Sequence, residues 1–110
     1  MKIAVDGQLL RIFIGESDQW QGKPLYEAII LKARAMGLAG ATMIRGLMGF
    51  GANSRIHTAK ILRLSEDLPV IIEIVDNAEK IEQLLPVLDE MVQEGLVTLE
   101  KVRVIQYRHR

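Results

Sequence analysis

The chain contains no cysteine among its 110 residues. This absence excludes a disulfide framework, a thiolate zinc site and a cysteine nucleophile. Neither sign of charge is in excess, since Lys and Arg together number 14 and Asp and Glu together also number 14. Because non-specific binding to nucleic acid depends on a surplus of cations, no nucleic-acid partner is expected.

Long hydrophobic runs are also missing. The longest apolar run is far too short to span a bilayer, and the N-terminus lacks the apolar core of a signal peptide, so we expect a cytoplasmic protein. The composition, 49% apolar and 25% charged, is typical of a soluble globular protein. Residues 1–110 are predicted to form one domain, whose stability margin would be modest without an oligomer.

Four apolar stretches predict the strands of a sheet. β-branched and other apolar residues dominate residues 9–14, 41–46, 69–75 and 96–107, which favours extended backbone.

Two stretches with helical spacing separate these strands. The first helix is predicted to begin at Pro24, which suits a first helical turn, and to stop at Gly37. The second is predicted to begin with a capping box formed by Asp76 and Glu79. Pro86 inside it should bend the axis, at a cost of roughly 3 kcal/mol. The order β-α-β-β-α-β predicts an α+β fold class, the ferredoxin-like βαββαβ sandwich, with a long loop between strands 2 and 3.

Both faces of the predicted sheet carry apolar side chains. In a ferredoxin-like sandwich the helices cover only one face, so the other should be polar unless something else covers it. In the third strand, however, Val70, Ile72 and Ile74 alternate with Ile71, Glu73 and Val75. Because apolar surface gains roughly 25 cal/mol per Å² when it leaves water, we expect a homo-oligomer that packs sheet faces together.

Glu73 and Asp76 are the nearest candidates for a pair of catalytic acids. Three residues along a strand place them on opposite faces, which excludes a shared site. We therefore expect Glu73 to pair with Arg11 or Arg103 on a neighbouring strand. No serine or threonine has the histidine and carboxylate neighbours of a nucleophile, and His57 and His109 lack a spaced third ligand, so no metal site is expected.

Glycines are concentrated where the second strand meets the long loop, at Gly40, Gly46, Gly49 and Gly51. Glycine has no Cβ, so backbone N–H groups can approach a ligand; the same residues serve tight turns equally well. About sixteen residues separate Gly51 from the next apolar run at Leu68, a length that favours a functional loop. No Gly-Lys-Ser/Thr follows, so this is not a Walker P-loop, and nothing supports ATP hydrolysis.

Several motifs resemble those of the PII signalling superfamily. Residues 37–43 resemble the start of that family's second strand, residues 49–51 the base of its long T-loop, and residues 57–58 a pair within the loop. A further set is similar to a narrower, uncharacterised PII-like family of unknown function: Ile14-Gly15-Glu16, Asp18, Trp20, Gly22, Pro24-Leu25, Arg45-Gly46, Gly49-Phe50-Gly51 and Leu64-Ser65.

The resemblance implies a homotrimer whose clefts between neighbouring subunits bind adenine nucleotides or related effectors. It implies a non-enzymatic sensor, without a covalently bound cofactor, in which the effector orders a T-loop-like segment at about 47–67 and changes its affinity for a partner. A membrane transporter or channel is the candidate partner. The alternative is a trimeric structural or divalent-metal-tolerance protein of the same fold without nucleotide binding.

Position by position, the resemblance places Thr42 near the adenine, residues 49–51 on the phosphate side and Arg108 at a cation of the last strand. Gln106 stands where a second cation would be, and the family's Gly-rich phosphate cradle is reduced to Gly95-Leu96. AMP or ADP is therefore expected in preference to ATP. The candidate ligand-binding residues are Thr42, Arg45, Gly46, Gly49, Phe50, Gly51, Arg55, Arg63 and Arg108.

Overall fold

A four-stranded sheet and two helices build the fold in the computed structural model, which describes residues 6–51, 57–58 and 67–108. In chain order the elements are β1 (Asp6–Gly15), β2 (Gln19–Trp20), β3 (Lys23–Pro24), α1 (Leu25–Ala35), β4 (Thr42–Arg45), β5 (Met48–Gly49), β6 (His57–Thr58), β7 (Pro69–Asp76), α2 (Ala78–Met91) and β8 (Leu96–Arg103).

The main sheet is antiparallel and has the strand order β4-β7-β1-β8. With α1 between β1 and β4 and α2 between β7 and β8, this is the predicted ferredoxin-like βαββαβ topology. Within the described ranges, no helix combines the length and the apolar character needed to cross a membrane.

The last strand is shorter than predicted. It was expected to reach residue 107, but β8 ends at Arg103, which lies directly opposite Asp6 of β1. Gln106 and Arg108 therefore follow the strand instead of lying within it.

The long connection between β4 and β7 also differs from a plain loop. A short antiparallel ladder joins β5 to β6, with Met48 opposite Thr58 and Gly49 opposite His57. A second small ladder joins β2 to β3 just before α1.

The hydrophobic core lies between one face of the sheet and the two helices. Alternate residues of β1 and β7 point into it, and the helices contribute residues spaced three and four apart. Its principal members are Leu10, Ile12, Ile14, Val70, Ile72, Ile74, Leu25, Ile29, Ala33, Ile81, Leu84 and Leu88.

The predicted capping box at the start of α2 is wrong. The N-cap is Asn77, whose side chain accepts a hydrogen bond from the Lys80 backbone N–H at 2.9 Å. Asp76 is the last residue of β7 and is buried, and its carboxylate accepts bonds from the backbone N–H of Ala39 at 2.8 Å and of Asn77 at 2.7 Å. Because the helix starts one residue later than expected, Asp76 instead ties the α1–β4 turn to the end of β7.

The first helix begins directly after Pro24 and ends before Gly37, which has a φ of 83°, as the sequence predicts. The second helix continues through the exposed Pro86 to Met91. The bend predicted there stays a prediction.

Candidate functional site

The base of the long loop packs tightly against Pro69, the first residue of β7. The backbone N–H of Gly46 donates to the Pro69 carbonyl at 2.7 Å. A Cβ at Gly46 would lie 2.8 Å from Pro69 Cγ, closer than real Cβ contacts allow. Close packing against Pro69 is therefore sufficient to explain a glycine at this position. It supports a structural role, which the sequence left open beside contact with a ligand.

The other end of the same loop is attached to the end of β1. The Glu16 backbone N–H donates to the Leu68 carbonyl at 2.9 Å, and the Ser17 N–H donates to the Asp67 carboxylate at 2.9 Å. Both ends of the connection from residue 47 to residue 67 are thus held at the same end of the sheet, where β1 and β4 end and β7 begins.

Arg45, a candidate phosphate ligand, has a partner within the chain. Its guanidinium hydrogen-bonds the carboxylate of Glu16, whose side chain is only 19% exposed against 53% for Arg45. Exposed ion pairs of this kind contribute at most about 1 kcal/mol, so a phosphate group could take the place of Glu16. Glu16 was not predicted as this partner, because the two residues are 29 positions apart in the sequence.

Three apolar side chains at the loop base face solvent. Leu47 is 75% exposed, Met48 62% and Phe50 73%. Phe50 was a predicted site residue, whereas Leu47 and Met48 were not. We call these three residues the loop-base patch.

Thr42 and Arg108 lie away from the loop base. Thr42 is exposed at the start of β4, about 13 Å from Gly46 at a strand rise of roughly 3.3 Å per residue. Arg108 is exposed in the segment after β8, where the Tyr107 hydroxyl donates to the Ala39 carbonyl at 3.3 Å. The C-terminal segment thus runs beside the turn that leads into Thr42.

The candidate residues do not all meet within one chain. Arg45, Gly46 and Gly49 meet at the loop base, with Phe50 and Gly51 following directly in sequence. Thr42 lies opposite Glu73 in the middle of the sheet, and Arg108 lies in the segment after β8. Arg55 and Arg63 lie outside the described residues.

A cleft of about 390 Å³ lies beside the start of β4, between α1 and the turn that follows it. Its lining residues are Ile30, Ala33, Arg34, Leu38, Ala39, Gly40 and Ala41. No sequence motif predicts this cleft, although the small residues of the Ala39–Ala41 run are compatible with one.

The sheet face away from the helices, here called the open face, is apolar at its edges and charged at its centre. Register places on it Leu9, Phe13, Ile44, Ile71, Val75 and Leu96 around Arg11, Glu73 and Glu100. Ile44 is 44% exposed and Val75 38% exposed. The prediction that both faces of the sheet are largely apolar is confirmed.

Arg11 holds two carboxylates at the centre of the open face. Its Nε lies 2.8 Å from Glu73 Oε2, which confirms one of the two predicted pairings, and its Nη1 lies 2.5 Å from Glu100 Oε1. Arg103, the other predicted partner, stands opposite Asp6 instead. The hydrogen bond to Glu73 is the main cause that raises the pKa of Arg11, and Glu100 acts in the same direction against partial desolvation, so Arg11 stays charged at physiological pH.

Metal-ligating side chains do not cluster in the described ranges. No group of three or more His, Asp or Glu residues there could hold an ion. Of the two histidines, only the strand position of His57 is described, and His109 lies outside the described residues.

The fold is that of the PII-like proteins. CPII, a nitrogen regulatory PII-like protein from Thiomonas intermedia K12, has been solved bound to ADP, AMP and acetate; that structure matches with a TM-score of 0.66 at 16% identity over 92% of this chain and 90% of that chain. The GlnK–ATP complex of B. subtilis matches with a TM-score of 0.59 at 11% identity, over 92% of this chain and 85% of that chain.

Sequence comparison narrows the class to a family. The model of DUF190, described as "Uncharacterized ACR, COG1993", matches residues 7–104. A UPF0166 protein of Aquifex aeolicus is 41% identical over 101 residues, covering 92% of this chain and 95% of the relative. A UPF0166 protein of Methanocaldococcus jannaschii is 35% identical over 101 residues, covering 91% and 93%. The chain belongs to the DUF190 (UPF0166) family, and the predicted resemblance is confirmed.

Proposed function

We infer that this chain is a PII-like regulatory protein without enzymatic activity, acting in the cytoplasm as a homotrimer that binds an adenine nucleotide between its subunits. The observation that carries this function is the separation of the candidate residues. The loop base packs on Pro69 at the start of β7, whereas Tyr107, next to Arg108, bonds to Ala39 beside Asp76 at the end of that strand. A nucleotide at the loop base would therefore contact Arg108 only when Arg108 comes from a neighbouring copy.

The open face supports self-association. Its exposed apolar side chains, among them Ile44 and Val75, have no cover from the described part of the chain. At roughly 25 cal/mol per Å², burying such a face against other copies is strongly favourable. The charges at its centre are already paired, because Arg11 binds both Glu73 and Glu100, so burial would not leave an isolated cation.

Adenine nucleotides are the ligand class proposed by analogy with the fold neighbours, of which CPII is bound to ADP and AMP and GlnK to ATP. We propose AMP or ADP in preference to ATP because the connection from α2 to β8 is flush with the sheet. A Cβ at Gly95 would lie 2.6 Å from the carbonyl oxygen of Phe13. So tight a connection offers no projecting loop to cradle a third phosphate.

The proposed phosphate contacts are the backbone around Gly46, Gly49 and Gly51, together with Arg45 and with Arg108 from a neighbouring copy. Arg55 and Arg63 are retained as candidates from the sequence. Binding of a phosphate by Arg45 would break the Arg45–Glu16 ion pair. Because the Glu16 backbone N–H also bonds to Leu68 at the end of the loop, this change would couple the nucleotide to the loop.

The loop from about 47 to 67 is the proposed transmitting segment. Both of its ends are attached beside the proposed phosphate contacts, so a bound nucleotide would favour one loop arrangement over another. The loop-base patch of Leu47, Met48 and Phe50 is a suitable contact surface for a partner, for which we propose a membrane transporter or channel.

Calorimetry with AMP, ADP, ATP and cyclic AMP tests this function, combined with sedimentation to measure the mass of the assembly. We expect a trimer that binds AMP or ADP, and about tenfold weaker binding in Arg108→Ala, consistent with the loss of one charge-assisted hydrogen bond. Lys23→Ala, another exposed cation, is the matched control and should bind as the wild type does. A trimer that binds none of these nucleotides at millimolar concentration would favour the structural alternative, for which the packing of Gly46 on Pro69 is sufficient explanation of the glycine.

A further inference from the structure

The open face of the sheet carries more negative than positive charge. In the registers of β4, β7, β1 and β8, all of which the structure describes, the charged side chains on this face are Arg11, Glu73 and Glu100. The remaining side chains on it are uncharged, namely Leu9, Phe13, Thr42, Ile44, Pro69, Ile71, Val75, Leu96, Thr98 and Val102. One guanidinium therefore stands against two carboxylates, which leaves a surplus of one negative charge in each copy of the chain.

Water stabilises this surplus charge in the single chain. Both carboxylates bind the same guanidinium, with 2.8 Å from Arg11 Nε to Glu73 and 2.5 Å from Arg11 Nη1 to Glu100. The side chain of Glu100 is nevertheless 56% exposed and that of Glu73 is 32% exposed. Because Arg11 neutralises only one of the two carboxylates, the other depends on water for its stability.

Contact between the open faces of identical copies does not remove the surplus. Each copy brings the same three charges, so covering these faces with one another takes twice as many carboxylates as guanidinium groups out of water. The compensating positive charge has to come from outside these faces. A proton is favoured, because two carboxylates at one site away from water disfavour double ionisation, and because a proton requires no space between packed sheets.

We propose that the pair of Glu73 and Glu100 takes up a proton when neighbouring copies cover the open face. The proposal rests on the assembly described under the proposed function and adds its regulation by pH. The state that binds more protons is favoured at lower pH, so the assembly becomes tighter as pH falls, by up to about tenfold per pH unit for each proton bound. Since the proposed nucleotide site lies between copies, its formation follows the same dependence.

The test begins with sedimentation of the full chain over a dilution series between about pH 5 and pH 8, which measures the association constant. We expect this constant to fall as pH rises. Dilution calorimetry in two buffers of different ionisation enthalpy should then count about one proton released per copy on dissociation. If the assembly does not dissociate on dilution, the urea concentration that dissociates it gives the same ranking. An assembly whose strength does not change with pH would overturn the proposal.

Charge substitutions separate this proton from other effects of pH. Glu100→Gln removes the surplus charge and keeps an acceptor for Arg11, so it should assemble severalfold more tightly than the wild type at high pH and depend less on pH. The double variant Glu73→Gln/Glu100→Gln leaves Arg11 without a carboxylate and should assemble more weakly than Glu100→Gln. Glu82→Gln, at an exposed position of α2, is the matched control and should keep the dependence of the wild type.

The outcomes distinguish the proton from the assembly itself. A trimer in which Glu100→Gln assembles no more tightly than the wild type at high pH would overturn the proton and leave the proposed function intact. So would a dependence on the metal cation in place of pH, measured by exchanging sodium chloride for magnesium chloride at constant ionic strength. A wild type that sediments as a monomer at every pH would overturn both the proton and the proposed assembly.

Discussion

The two faces of the four-stranded sheet are built from the same strands but differ in what covers them. On the helix face, Ile12, Ile72 and Ile74 are fully buried by the chain's own helices. On the open face, Ile44 and Val75 remain exposed around the paired Arg11. Side chains alternate between the two faces along a strand. Residues on the helix face therefore stabilise the single chain, whereas their neighbours on the open face can stabilise the proposed assembly.

The largest expected effect is the loss of assembly when a charge enters the open face. Ile44→Glu should dissociate the proposed trimer, because an unpaired buried charge costs about 3–5 kcal/mol, and sedimentation should then report a monomer. Leu31→Glu on α1 is the matched control, since Leu31 is exposed to a similar extent, 47% against 44% for Ile44. If both variants sediment as the wild type does, the open face is not where copies meet.

Next in size is the loss of stability when the helix face is truncated. Ile72→Ala should destabilise the chain by about 2–5 kcal/mol, because Ile72 is fully buried and its removal leaves a cavity. Ile71→Ala, one residue away on the open face, should cost less in a dissociated chain such as the Ile44→Glu variant. Urea denaturation of both variants in that background measures the difference, and equal losses would contradict the distinction between the faces.

A smaller loss of stability is expected from a substitution at Gly46, which directly follows β4. Gly46→Ala should destabilise the protein by about 1–3 kcal/mol, because the new Cβ would meet Pro69 Cγ at 2.8 Å. Gly40→Ala is the control, since no atom lies within 4 Å of a Cβ built there. Thermal unfolding should separate the two, and similar melting temperatures would mean that Pro69 moves aside without cost.

The smallest effect concerns the charges at the centre of the open face. Arg11→Gln should lower the melting temperature by removing the pairs with Glu73 and Glu100. If copies cover these charges, the difference from the wild type should persist in high salt, because buried pairs are screened little. A difference that disappears in salt would indicate that the charges remain in water.

Much of the fold could be predicted from local patterns. The period-two alternation in β7, the helical spacing after Pro24 and the stop at Gly37 each depend on a few neighbouring residues, and together they specify the ferredoxin-like order. The error at the start of α2 arose because a residue distant in sequence determines the contact. Asp76 accepts a hydrogen bond from Ala39, 37 residues earlier in the chain, instead of capping its own helix.

The candidate site was less predictable than the fold. The partner of Arg45 is Glu16, 29 residues away in sequence. This contact leaves no periodic signal. The sequence alone determined which segments are strands and helices, that both sheet faces are apolar, and the family resemblance, because these depend on residue type and spacing. The tertiary structure alone decided which charges are paired and that Arg108 lies away from the loop base, because hydrogen bonds and ion pairs require atoms that only folding brings within about 3 Å of each other.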